Sequence, residues 1–330
     1  MPEERAFAEV VEMIRAARGR ALVAVNTALV DLYWQVGEFI SSRIDTDGWG
    51  KGTVAALATH IQRRHSAMRG FSAQNLWRMR QFFAAYADQP KLSPLVRELP
   101  WTHHLIILGQ SKRHEEREFY LRLAVRERWT KRELERQLRA ATFERAVLTP
   151  AKVSPLVAQT HPAALDIFKD SYLVEFLDLP RQHSENDLHR GLVNRLRDFL
   201  TELGRDFCFV GSEYPVQVGK RDFALDLLFF HRDLNCLVAI ELKIGEFQPE
   251  HLGKLGFYLE ALDRDVRKSH ERPSMGVLLC ASKDCEVVEY ALSRSLSPAL
   301  VAEYQTRMPD KKLLQAKLHD LFAQAETKTV

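Results

Sequence analysis

The chain is short of cysteine and has no long apolar run, and both shortages narrow its class. Its 330 residues include only Cys208, Cys236, Cys280 and Cys285. They form no CxxC pair, and each sits in or beside an apolar run. Buried reduced thiols are expected, not a disulfide framework or a zinc cage. No apolar stretch approaches the ~18 residues a membrane helix needs. The opening Met1-Pro2-Glu3-Glu4-Arg5 is acidic and lacks the hydrophobic region of a secretory signal, so a cytoplasmic protein with no membrane partner is expected. Walker and Rossmann glycine fingerprints are absent, as are internal repeats and low-complexity tracts. These absences exclude the common nucleotide-binding, secreted and membrane classes.

What is present is an ordinary globular composition, 46% apolar and 28% charged, on a length that suggests about two domains. Net charge is +3, but it is unevenly spread. Residues 1–150 carry 24 Lys and Arg against 17 Asp and Glu, leaving 23 against 27 for the remainder. A basic half suits a polyanion and an acidic half suits a cation.

Apolar residues at three- and four-residue spacing predict a helix from Arg5 to about Ile44. A second helix is expected over Thr53–His65. A third follows Ser72, which is placed as an N-cap with Asn75 three positions on. Helix, short turn and capped helix with arginines has the look of a helix-turn-helix. Pro94 and Pro100 predict a loop over Lys91–Trp101. Helices are then expected over Thr102–Leu108, Arg113–Glu127 and Lys131–Ala146, the last opened by a Thr130/Glu133 capping box. Thr149–Pro155 reads as a linker and Leu165–Leu177 as a lead-in. Beyond it come a helix over His189–Leu203 and strands over Phe207–Gly211, with Val218 as an alternative end, Phe223–His231 and Cys236–Leu242. A helix over Pro249–Leu262 and an apolar strand over Ser274–Cys280 follow. Ser282–Leu292 should be helical, Leu300–Glu303 a short edge strand, and Pro309–Leu321 a closing helix. The fold class is therefore an all-helical domain over residues 1–150 followed by an α/β domain over 165–325.

Two expected strands carry the chemistry. Asp226 lies among Leu225, Leu227, Leu228, Phe229 and Phe230, so both faces of its strand are apolar, and an acid there is costly unless paired or metal-bound. Glu241 and Lys243 end the next strand two residues apart and so point the same way. If the strands pair as a hairpin, two carboxylates and an ammonium meet at one sheet edge. Asp226, Glu241 and the Leu242 carbonyl would offer hard oxygens to Mg²⁺, with Mn²⁺ as a substitute. Lys243 would orient a water or stabilise developing charge. On the residues alone, a metal site and a structural ion pair account for Asp226 equally well, and an exposed strand position is the third alternative.

The run Asp226-x14-Glu241-x-Lys243 between a helix and further strands resembles the PD-(D/E)XK nuclease superfamily. The surrounding words, among them Leu225–Arg232, Cys236–Lys243, Gly276–Cys280 and Tyr304-Gln305, resemble its YhcG-like branch. So do Tyr33–Gly37, Trp49-Gly50, Arg69–Ser72 and Leu99–Trp101 in the first half. The resemblance spans nearly the whole chain. It implies a restriction-endonuclease-like αβββαβ core, DNA as substrate, and a setting in genome defence or mobile-element processing. Its metal acids would fall on Asp226 and Glu241, its lysine on Lys243, and an upstream helix acid on Glu185. Glu213, on the strand before Asp226, is a weaker candidate where the family usually has Gln. Lys254 stands where the family usually has Gln, four residues before Tyr258, and suggests a phosphate contact. His189 replaces a usual acid.

Arg63, Arg64, Arg69, Arg78 and Arg80 cluster around the helix-turn-helix-like segment and are the expected nucleic-acid contacts. Trp77 and Phe71 are read as core. Lys112, Arg113, Arg126, Arg128, Lys131, Arg132, Arg136 and Arg139 alternate with glutamates and read as helix salt bridging. The helical domain could equally engage a protein partner, and cutting two strands suggests a homodimer. The rival to a nuclease is a catalytically silent DNA-binding or assembly subunit. An acid/base pair acting on a sugar lacks any aromatic platform.

Overall fold

The computed structural model describes residues 2–328. The chain divides into two compact units at Leu138/Arg139. The first is built of helices: α1 (Pro2–Asp47), α2 (Lys51–Arg64), α3 (Ala73–Tyr86), α4 (Ser93–Glu98), α5 (Trp101–Gln110), α6 (His114–Arg126) and α7 (Lys131–Arg139). Its core joins Tyr33 and Ile40 of α1 to Val54 and Ala58 of α2 and Leu76 and Met79 of α3. At Gly37 the two long helices approach so closely that a Cβ would land on the Met79 carbonyl. Ser72 caps α3, its Oγ accepting from the Asn75 N–H at 3.3 Å.

Two features of this unit differ from expectation. The proline-marked loop over 91–101 contains a 3₁₀ turn, Pro90–Leu92, and α4. Pro90 and Pro94 occupy the first positions of these short helices, where a missing N–H costs nothing. The expected Lys131–Ala146 helix is broken, because Ala141 adopts a left-handed φ of 50°.

The second unit contains α8 (Thr142–Leu148), α9 (Pro155–Thr160) and α10 (Ala164–Ile167), then β1 (Ser171–Leu173), α11 (Glu185–Asn194) and α12 (Leu196–Leu203). Next come β2 (Phe207–Val218), β3 (Arg221–His231), β4 (Cys236–Glu246), α13 (His251–Asp265), β5 (Arg272–Ser282), α14 (Cys285–Ser293), β6 (Ala299–Gln305) and α15 (Lys311–Lys328). The six strands form one sheet in the order β1-β6-β5-β4-β3-β2. β2, β3 and β4 are antiparallel neighbours, whereas β4, β5, β6 and β1 run parallel. One face packs Leu188, Leu192 and Phe199 of α11 and α12. The other packs Leu255, Leu259 and Leu262 of α13 with Val288 of α14. The expected αβββαβ order is present from α11 to β5.

β6 is not the edge strand expected of Leu300–Glu303; the three-residue β1 pairs outside it, Ser171 opposite Glu303. The stretch expected as a linker is tied to this unit. Val153 bridges Leu300, Ser154 donates to the Ser297 carbonyl at 2.9 Å, and Lys152 pairs with Glu289 at 2.8 Å. The helix expected from His189 starts at Glu185 behind a Ser184/Asp187 capping box and is interrupted at Arg195. Only Cys236 and Cys280 are buried; Cys208 and Cys285 are exposed, and all four are free thiols.

In the first unit His104 is fully buried against Phe82 and Tyr86. Its Nε2 lies 2.9 Å from the Val96 carbonyl, so that nitrogen carries the proton. Burial holds the imidazole down at about 4, against an ordinary 6.5. Between those values the unfolded chain binds more proton than the folded one, so stability is lost as pH falls through the window, at roughly 1.4 kcal/mol per pH unit. All five tryptophans lie before residue 139. Denaturation followed by tryptophan fluorescence should show that loss, and His104→Leu should flatten it.

Candidate active site

β3 and β4 pair from His231↔Cys236 up to Leu227↔Ile240 and then part. Asp226 is the first residue beyond this ladder. Its Oδ2 accepts a hydrogen bond from the Leu242 N–H at 2.7 Å, so a side chain continues the link where the main chains diverge. The Asp226 carbonyl lies 3.2 Å from His189 Nε2 on α11. His189 thus packs against the acid-bearing strand through its backbone.

Glu241 and Lys243 project from β4 on the α13 side of the sheet. Glu241 is 0% exposed. Its Oε1 receives Lys243 Nζ at 3.3 Å and the Lys254 ammonium from α13. Its Oε2 is buried and has no hydrogen-bond partner among the described residues. Lys243 also donates to the Leu242 carbonyl at 2.7 Å and lies 3.5 Å from Glu185 Oε1. Glu185 is the first residue of α11, favoured there by the helix dipole. Tyr258, one turn beyond Lys254, donates to the Ala224 carbonyl at 2.9 Å and pins α13 to β3. The Lys254 ammonium lies 5.4 Å from its ring centre.

The electrostatics are lopsided. Burial, followed by the neighbouring Asp226 charge, pushes the Glu241 carboxyl above its usual range, although two lysines pull the other way. Burial is the largest influence on the Lys254 ammonium and works against it, yet the hydrogen bond to Glu241 and the neighbouring negative charges together prevail and its pKa rises. The pair therefore favours the lysine's charge and disfavours the glutamate's. The strain falls on Glu241 because Lys254 is half exposed and water shares its load.

Five of the expected residues, Glu185, Asp226, Glu241, Leu242 and Lys243, converge here. The Leu242 carbonyl, expected as a metal ligand, is taken by Lys243, and Glu185 meets Lys243 rather than the two inner acids. Glu213 is exposed with a left-handed φ of 47° and takes no part in the cluster's hydrogen bonds. Lys254, expected on phosphate, is the counter-ion of Glu241. Its sequence signal was its place one helical turn before Tyr258. Among the described residues no group of three or more His, Cys, Asp or Glu forms a ready metal cage. Asp226 and Glu241 nonetheless fit a hard divalent ion: both offer oxygen, and Glu241 Oε2 is a buried acceptor with nothing to accept from.

In the helical unit Arg63, Arg64, Arg69 and Arg78 are exposed. Arg80 is half-buried, its guanidinium 5.5 Å from the Trp77 ring centre. Phe71 and Trp77 pack on the core, as expected. Arg126, Lys131 and Arg136 are paired with Glu127, Glu135 and Glu133.

Comparison with known families matches residues 165–319 to the YhcG PDDEXK nuclease domain and residues 9–145 to the DUF1016 N-terminal domain. The chain is 30% identical to the protein YhcG of Escherichia coli (strain K12), over 94% of this chain and 92% of that protein. Among solved structures, a repair endonuclease from Pyrococcus abyssi aligns at 15% identity and a TM-score of 0.26. The EndoMS–dsDNA2 complex aligns at 16% and 0.27. Each alignment covers 40% of this chain, and 50% and 48% of those chains, about half their length.

Because burial and the Asp226 charge together outweigh both lysines at Glu241, removing its charge should relieve the fold. Glu241→Gln is expected to raise Tm by a few degrees in EDTA, measured by calorimetry. An unchanged or lower Tm would show that the lysines already compensate the charge.

Proposed function

We propose that this chain, which belongs to the YhcG family of PDDEXK nucleases, hydrolyses DNA phosphodiester bonds with a divalent metal ion, Mg²⁺ with Mn²⁺ as substitute. The observation that carries this reading is the buried, partnerless Oε2 of Glu241, a carboxyl that feels the Asp226 charge. Those two groups would hold the ion. Bound there, it would act as a Lewis acid and make hydroxide available near neutral pH.

The chain's own residues do the rest. Asp226, fastened to the Leu242 N–H, keeps one carboxylate oxygen locked in direction. Lys243, half-buried among Glu185, Glu241 and the Leu242 carbonyl, presents an ammonium that can orient a water or donate to a phosphate oxygen. Glu185 positions that ammonium. Lys254, half exposed, is a second cation within reach of a phosphate once it leaves Glu241. By resemblance the setting is genome defence or mobile-element processing in the cytoplasm, and internal cutting is favoured over exonuclease action. Exposed Arg63, Arg64, Arg69 and Arg78 are assigned to the DNA backbone, with Arg80 secondary because it lies against Trp77. One observation favours a second reading. The Lys254 ammonium already compensates the Glu241 charge from within the chain, as a silent DNA-binding subunit would require.

The full-length protein should cut supercoiled, linear, single-stranded or branched DNA with Mg²⁺ and not with EDTA. Asp226→Ala and Lys243→Ala should each lower the rate by at least about 10²-fold. Binding without cutting by the wild type selects the silent subunit. Equal cutting by all three proteins places the chemistry elsewhere.

Arg63→Ala with Arg64→Ala should weaken binding to unrelated sequences uniformly. It should also lower the salt slope of log K by about one for each phosphate that no longer meets an arginine. An unchanged slope removes these arginines from the interface.

A further inference from the structure

His251 stands beside the acid–lysine cluster and has no part in the chemistry described above. It is the first residue of α13. Lys254, three residues on, reaches Glu241 of β4, and Tyr258, four further, donates to the Ala224 carbonyl of β3. Residues three and four apart are neighbours on one helix face. His251, Lys254 and Tyr258 therefore form a row on the face of α13 that covers the opening between the two strands. The imidazole feels charges from three elements: Lys243 on β4, Glu185 on α11, and Glu250 and Lys254 beside it. Phe247 meets the ring edge-on, with centres 6.4 Å apart. Phe247 is itself buried, its N–H donating to the Ser282 carbonyl at 2.9 Å, so the imidazole is backed by a fixed side chain.

The two ring nitrogens are not equivalent. The Gln248 N–H donates to Nδ1 at 3.2 Å. In a neutral ring Nδ1 is then the acceptor, and the proton sits on Nε2. Burial first, and the Lys243 ammonium next, hold the imidazole below its ordinary 6.5, which favours that neutral form. Nε2–H is a donor with no hydrogen-bond partner among the described residues. A histidine kept only to close the turn before α13 would need Nδ1 alone. A neutral donor beside two ammoniums suits an anion with several acceptor oxygens, and a DNA phosphate is one.

We propose that His251 is a substrate contact of this site, its Nε2–H donating to a non-bridging oxygen of a DNA phosphate held at the cluster. The assignment rests on the DNA reading given above. The ring gives a hydrogen bond and transfers no proton, and its Nδ1 bond to Gln248 fixes which nitrogen can give it.

Two substitutions separate the nitrogens. His251→Asn puts an acceptor where Nδ1 stands and leaves nothing at Nε2. His251→Gln reaches the Nε2 position with an amide N–H and gives up the acceptor at Nδ1. The full-length proteins are compared in three measurements: cutting of a supercoiled plasmid with Mg²⁺, binding of a labelled duplex in EDTA, and thermal unfolding. His251→Asn should keep the wild-type Tm, lower the cutting rate by at least about 10-fold, and weaken duplex binding. His251→Gln should recover most of both losses. The reverse order, with Asn near wild type and Gln impaired, assigns His251 to the turn and overturns the proposal. Equal loss in the two variants, or loss in neither, also overturns it. A wild type that binds the duplex without cutting removes the nuclease reading alone, and the order of the three affinities then decides on His251. A wild type that neither binds nor cuts overturns both.

Discussion

A carboxylate held out of water at the end of β4 is the constraint around which the second unit is arranged. Glu241 has no exposure, and burial presses its pKa upward against two lysines. Such a group is tolerated only with charged or hydrogen-bonding partners. Lys243 comes from its own strand, Lys254 from α13, and Asp226 adds a second negative charge from β3. The result is a polar knot at the point where an otherwise apolar sheet opens.

The sheet's topology creates that opening. Antiparallel pairing of β3 with β4 ends at Leu227↔Ile240, while β4 continues alongside β5 through Lys243↔Cys280. β4 therefore keeps a neighbour on one side only, while β3 turns away beside β2 as far as Arg221. Asp226 bonds the Leu242 N–H across the divergence, and α11 delivers Glu185 to Lys243 from its first turn. Each group of the cluster is thus fixed by a main-chain feature rather than by a flexible loop, as a site that must hold geometry requires.

Lys254 stands where the resemblance implies Gln, and its neighbours give it a role of its own. Read as one more cation on a helix, it pointed to phosphate. In the fold its ammonium lies on Glu241 and above Tyr258. A lysine there stabilises an otherwise costly buried charge through Oε1 and leaves Oε2 without a partner. An amide in its place would bring no charge to offset that of Glu241.

Much of this was legible from residues alone, because period and composition carry local structure. The near-continuous apolar run of Cys236–Leu242 and the three–four spacing in α1 announced a strand and a helix with little ambiguity. An acid set among leucines and phenylalanines announced a group in need of a partner. Signals that depend on competition were misread. Pro94 breaks a chain or opens a helix depending on what lies before it. Ala141 takes a left-handed turn that no alanine advertises, and β6 looked like an edge because its three-residue neighbour has no pattern of its own. The sequence by itself determined which residues could form a site: Asp226, Glu241 and Lys243 are named by type and spacing. Only the tertiary structure decided which oxygen is left without a partner and which lysine neutralises which acid. Those depend on where α11 and α13 cross the sheet, and no local period encodes a crossing.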